Sequence, residues 1–306
     1  MRYEIARLVD ACDQLVELSR AQFEDAWSAK KKLVLALDVE DKLELVLGNY
    51  AEFEQELLGL MVHFSLFTNF DWSSRMADFL TINRRLMNLL SACRLYVDQV
   101  KHVFGAIYGD TSVQYCQICN AFSTEYDAQI AYRVLDAIRN QAQHRMLPVH
   151  HLSYGWEMEG EAGNRRDKLI LTPSLSVARI KEEGNFKASV LRELEHGDEL
   201  VDLKPLVREY VASIGRVHQA LRNLMKGDID LWEGILAQVK ERFRSVYGDN
   251  FIGLALVAKD ENGEIVQSSD VFDDLIKRRK MLEAKNTKMD VYDKQYVSSE
   301  AHQAKP

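Results

Sequence analysis

The stretch Trp72–Tyr108, WSSRMADFLTINRRLMNLLSACRLYVDQVKHVFGAIY, decides the fold class. Met76, Phe79, Leu86, Leu90, Cys93, Val97, Val100 and Phe104 recur along it at helical spacing, which marks one apolar face of a long α-helix. Gly109, just past its end, is a natural C′ residue. The same period extends outward on both sides. Toward the N-terminus, Ile5, Leu8, Val9, Cys12, Leu15 and Val16 predict a helix that continues through Phe23 and Trp27. A second run carries Tyr50, Phe53, Leu57, Leu58, Met61 and Phe64. Toward the C-terminus, a run from near Thr124 carries Ile130, Val134, Leu135, Ile138 and Ala142. It must stop before Pro148, because the residue preceding a proline is pushed out of the helical region.

Punctuation supports this reading. The 306 residues hold 4 prolines and 15 glycines. No proline precedes Pro148, and the only glycines before it are Gly48, Gly59, Gly105 and Gly109. A sandwich or barrel needs a turn about every 8–12 residues, which this half does not supply. Four long antiparallel helices with short connections make a bundle. The expected fold is therefore mainly α, an antiparallel helical bundle with a small antiparallel β-hairpin region and additional C-terminal helices.

After Pro148 the texture changes. His150–Met158 and Lys168–Thr172 read as an extended pair, and Phe251–Ala258 with Glu264–Gln267 as a second hairpin through Asn262-Gly263. Between them a helix from Lys204 to Lys226 has Pro205 in its first turn and Gly227 past its end. Another starts at an Asp230…Glu233 capping box and closes at Tyr247-Gly248. The expected division is 1–148 for the bundle, 149–283 for the hairpin and helical region, and 284–306 for a polar, mobile tail. The Lys204–Lys226 helix either completes the first bundle or founds a second domain.

Bulk properties narrow the function. The net charge of −8 argues against coating nucleic acid by charge alone, because non-specific binding rests on Lys and Arg at phosphates. It leaves room for one local basic site. Met-Arg-Tyr-Glu-Ile-Ala-Arg at the start has no apolar leader pattern. Leu57–Phe67, the longest apolar stretch, is too short for a span of about 20 residues and reads as a buried core helix. Cys12, Cys93, Cys116 and Cys119 make no disulfide framework, and Cys116-Gln-Ile-Cys119 lacks the second ligand pair of a zinc site, so structural cysteines in a reducing cytoplasm are expected. Glu52, Glu54 and Glu56 read as a solvated face, and Lys30-Lys31-Lys32 as a helix end favoured by the dipole.

One segment carries chemistry: Tyr132-Arg-Val-Leu-Asp-Ala-Ile-Arg-Asn-Gln-Ala-Gln-His144-Arg-Met-Leu-Pro-Val-His150-His151. Asn140 and His144 share a helix side. Arg133, Asp136, Asn140 and Gln143 form its polar face, and Val134, Leu135, Ile138 and Ala142 the apolar one. Arg139 offers a fork for phosphate, and His144 an imidazole that moves protons near neutral pH. Phosphodiester cleavage needs such a pair: charge stabilisation on the phosphorane, plus an acid or base for the attacking and leaving oxygens. His150 and His151 alternate across the following strand, so at most one points back, and His150 is an auxiliary candidate. Arg145…His150 repeats the spacing but straddles Pro148. Arg222-Asn223 lacks a following histidine.

Arg139-Asn140-Gln-Ala-Gln-His144 resembles the R-x4–6-H signature of the HEPN superfamily, with the polar residue that many members carry after the arginine. The resemblance implies a metal-independent endoribonuclease of a toxin–antitoxin or antiphage abortive-infection system, with no cofactor and no bound metal. It implies attack by the RNA's own 2′-hydroxyl, leaving a 2′,3′-cyclic phosphate and a 5′-hydroxyl. Two motifs would meet in a homodimer or higher oligomer, and an antitoxin or defence partner is expected, with no membrane. Arg139 would hold the scissile phosphate, His144 act as general acid or base, and Asn140 position one of them. Some HEPN toxins carry a modified tyrosine two residues after the histidine. Met146 stands there, so that regulation is not expected. The alternative is a non-catalytic helical scaffold built on a degenerate HEPN bundle.

Overall fold

The computed structural model describes residues 1–8, 14–67, 71–142, 146–159, 165–184, 186–249, 253–295 and 297. The fold is mainly α. In chain order it comprises β1 (Arg2–Arg7), β2 (Leu15–Leu18), α1 (Arg20–Leu66), α2 (Trp72–Tyr108), α3 (Val113–Ala128), α4 (Ile130–Ala142), β3 (His151–Glu159), β4 (Arg166–Ser176), α5 (Val177–Glu183), α6 (Ala188–Leu194), β5 (Leu200–Asp202), α7 (Leu203–Tyr247), β6 (Leu254–Lys259), β7 (Ile265–Asp270) and α8 (Asp274–Lys285), then a 3-10 helix at Met289–Lys294. Among the described residues no helix is long and apolar enough to cross a membrane.

The chain divides into two compact units, neither continuous in sequence. One holds 1–41, 102–115 and 221–287, the other 42–101, 116–220 and 288–306, so residue 148 falls inside the second. In the first, an antiparallel sheet of order β2-β1-β6-β7 carries the buried residues Ile5, Leu256 and Val257. Its helices are tied by ion pairs: Arg222 with the buried Glu40, Arg279 with Glu233, and Arg278 with Asp41. The second is a helical bundle. Arg208 of α7 forks onto Glu54 of α1 at 2.8 and 3.0 Å, and Arg85 of α2 reaches Glu52 and Glu56. Tyr96 of α2 meets His218 of α7 at 2.8 Å, and Tyr132 of α4 packs edge-on against Tyr210 of α7. The sheet β3-β4-β5 belongs to this unit.

The helix expected over Trp72–Tyr108 is α2, and Gly109 follows with a φ of 88°. Both expected hairpins form, with Gly263 at φ 85° in the second turn. Several expectations are corrected. Ile5 and Val16 are partners in an antiparallel pair, not faces of one helix, because β1 is bonded on both edges, by β2 and by β6. Val9 and Cys12 lie outside the described residues. The two apolar runs from Phe23 to Phe64 form the single 47-residue helix α1. The helix expected from Thr124 is instead α3 followed by α4, parted at Gln129. The two helices expected on either side of Gly227 are one 45-residue helix, α7, with Asp230 and Glu233 in its interior.

Lys30, Lys31 and Lys32 lie within α1 rather than at a helix end, and Lys30 pairs with Asp270 at 3.0 Å. Glu52, Glu54 and Glu56 bind arginines, as above. Leu57–Phe67 is not uniformly buried. Leu57 faces the core, while Val62 is 58% and Leu66 67% exposed. After Ala284 the chain still packs: Met289 is buried against Gly215 of α7.

Candidate functional site

The site lies in the second unit, where α4 delivers the Arg139-Asn140 pair. Val134, Leu135 and Ile138 are buried, which fixes the helix's roll and turns Asn140 to solvent. Gln141, also buried, donates from Nε2 to the Gly184 carbonyl at 3.2 Å, tying the helix's last turn to the end of α5. Arg139 is partly buried. Its Nη1 donates to Asn140 Oδ1 at 3.1 Å, and its Nε is buried without a hydrogen-bond partner. Among the described residues no carboxylate forms a salt bridge with it. His144 and Gln143 lie outside the described residues.

Three cations act on one carboxylate on this flank. Arg94 of α2 bonds Asp98 at 2.9 Å and stands 3.9 Å from Asp136 of α4. Burial pushes the Asp136 carboxyl above the usual range, against the opposing pull of Arg94, Arg139 and Lys187. Lys187 sits on Tyr126, 2.7 Å from its hydroxyl. Arg133 is partnered: it caps the Tyr126 carbonyl and pairs with Glu193. Of the arginines on α4, then, Arg133 is tied to a carboxylate and Arg139 is not.

The chain leaving the motif is fixed by α2. Asn83 accepts the Val149 N–H at 2.8 Å and returns its amide to the Val149 carbonyl at 3.4 Å. His150 is 6% exposed while His151 faces out, the alternation of an extended chain. The His150 N–H donates to Ser174, and His150 Nδ1 accepts the Ser176 N–H at 3.1 Å. That bond places the imidazole proton on Nε2, a buried donor with no partner among the described residues. Burial, reinforced by the Arg179 charge, lowers the His150 pKa to about 4. At neutral pH this ring is uncharged, accepts the Ser176 N–H and is a poor base.

The structure thus brings Arg139 beside Asn140 and places His150 immediately before β3. Asn83, Gln141, Ser176 and Arg94 were not found from sequence. Asn83 alone left a trace, as an amide inside the apolar run of α2. Cys93 is buried, Cys119 partly and Cys116 exposed, and burial pushes the Cys93 thiol up. Among the described residues no three His, Cys, Asp or Glu side chains are placed to hold a metal ion. No family model, curated protein or solved structure matches this chain.

Proposed function

We propose that this chain is a HEPN-type endoribonuclease, serving antiphage defence or a toxin–antitoxin system, that cleaves RNA through the substrate's own 2′-hydroxyl. The observation that supports it best is the state of Arg139. Its guanidinium, in the last turn of α4, makes a single hydrogen bond, to Asn140, and no salt bridge among the described residues, with the Asp136 carboxylate close enough to feel its charge. A fork not committed to an internal carboxylate is available to a phosphate, which it matches bidentately. Asn140 holds Nη1 and Nε is buried, so the Nη1–Nη2 edge is the one left for a phosphate.

In this reaction Arg139 stabilises the charge that builds on the phosphorane. His144, the next basic side chain with a proton to exchange near neutral pH, accepts from the 2′-hydroxyl or donates to the leaving 5′-oxygen. The second of these roles falls to the same residue of another copy if two motifs share a cleft. The products are a 2′,3′-cyclic phosphate and a 5′-hydroxyl, and the proton balance closes without another reactant.

The test is cleavage of end-labelled RNA in chelator, with growth of expressing cells followed in parallel, for wild type, Arg139→Ala and His144→Ala. Loss of cutting in both variants, with folding intact, is the expected result. A wild-type chain that cuts no RNA, or variants that cut equally well, would overturn it.

A further inference from the structure

An open cavity of about 410 Å³ lies elsewhere on the second unit, lined by Phe64, Arg75, Leu152, Ser153, Tyr154 and Trp156. Its size falls within the range of small-ligand sites, about 300–1,000 Å³. Its chemistry is aromatic with one cation. Trp156 is 66% exposed, although an indole normally buries most of its large apolar surface. The cavity's inner side is fixed: Phe64 packs on Tyr154 at 5.0 Å, and the Tyr154 hydroxyl donates to Asp78 of α2 at 2.6 Å. Arg75, one turn before Asp78, brings a guanidinium to the same space.

Position matters as much as composition. Asn83 pins Val149 to α2, and β3 begins at His151. Trp156 is therefore about 17 Å along an extended strand from His151, the last residue of the motif segment. That is a reach of a few nucleotides.

We propose that this cavity receives an unstacked base of single-stranded RNA, with Trp156 as the stacking face and Arg75 as the cation beside it. Any base offers a π-face to such a platform, and an adjacent guanidinium adds attraction for the strand. The cavity would hold a nucleotide flanking the scissile bond. The inference rests on the reading of Arg139 as the phosphate grip.

The experiment uses the full chain and a single-stranded RNA oligomer with every 2′-hydroxyl methylated, so that it binds without being cut. Tryptophan emission and anisotropy are read for wild type, Trp156→Ala and Trp156→Phe, with light scattering on each. RNA is expected to quench wild-type emission. Trp156→Ala loses that quench and binds about 10-fold more weakly. Trp156→Phe keeps most of the affinity. With cleavable RNA, Trp156→Ala raises KM and leaves kcat unchanged. If wild type cuts RNA while Trp156→Ala has the same KM and affinity, the base cavity is wrong and the Arg139 reading stands. If Trp156→Ala alters only the oligomeric state, this face joins two copies and the proposal fails. A wild-type chain that binds no RNA overturns both.

Discussion

Asn83 grips both ends of the Val149 backbone unit: its Oδ1 accepts the N–H at 2.8 Å and its Nδ2 donates to the carbonyl at 3.4 Å. Both residues are buried, so water cannot replace either bond. Asn83→Leu keeps the volume and strands two backbone groups, at a cost of about 1–3 kcal/mol. A lower melting temperature is expected, together with faster exchange of the Val149 amide, read by hydrogen–deuterium exchange. Unchanged exchange at Val149 would show that the tie does not hold this segment.

His150 supplies a pH dependence with a definite sign. Its folded pKa of about 4 lies below the ordinary histidine value, so the unfolded chain binds the proton more readily. The stability this contributes is full above pH of about 6.5 and is lost as pH falls through 4. The loss is on the order of 2–3 kcal/mol. His150→Asn can still accept the Ser176 N–H through Oδ1 and has no proton to gain. Urea unfolding at pH 7 and at pH 4.5 is expected to show the wild type losing more stability between them than the variant. Equal losses would mean that the ring is not held neutral.

Which parts of this architecture could be read from sequence follows from the range of the interactions. Trp72–Tyr108 was legible because its apolar face is continuous and Gly109 ends it. The break expected at Gly227 failed for a related reason. Met225, Ile229, Trp232 and Leu236 carry a buried stripe straight through it. A helical glycine costs about 1 kcal/mol, which burying one such side chain more than offsets. The N-terminal strands were misread because β1 pairs with β6, whose residues lie near the far end of the sequence. The site divides in the same way. Arg139 and Asn140 stand in one local motif, whereas Gly184 and Ser176 reach it from distant segments through backbone groups, which leave no side-chain pattern, and Asn83 through a lone amide that holds the Val149 backbone.

Gly215 shows that the segment after α8 belongs to the packed structure. A Cβ at this position would press on the Met289 carbonyl oxygen and come within 2.8 Å of the Met289 Cβ. Tyr292, one turn on, packs on Tyr50 of α1. Gly215→Ala therefore sets two effects against each other. Alanine favours the helix by about 1 kcal/mol, while the contact forces Met289 out of its buried position. We expect the second to win, with a lower melting temperature and faster proteolysis within 286–294. A variant that melts higher, with this segment still protected, would refute the contact.

Asn140 offers the sharpest separation of chemistry from stability. Its Oδ1 accepts from Arg139 Nη1, so Asn140→Asp converts that bond into an ion pair on an exposed helix flank. Exposed pairs contribute about 0–1 kcal/mol, so the folded state is expected to hold or gain slightly. Catalysis should move the other way. On the proposed ribonuclease reading, a carboxylate committed to Arg139 would neutralise the charge that the phosphorane needs and would repel the substrate phosphate. Cleavage by Asn140→Asp is expected to fall on the order of 10²-fold, comparable to losing one donor from an oxyanion site. Asn140→Ala frees the guanidinium without neutralising it and should fall less. The order wild type, then Ala, then Asp, at constant melting temperature, is the signature of Arg139 acting on the substrate. Equal rates in Ala and Asp would mean that Arg139 only braces the helix.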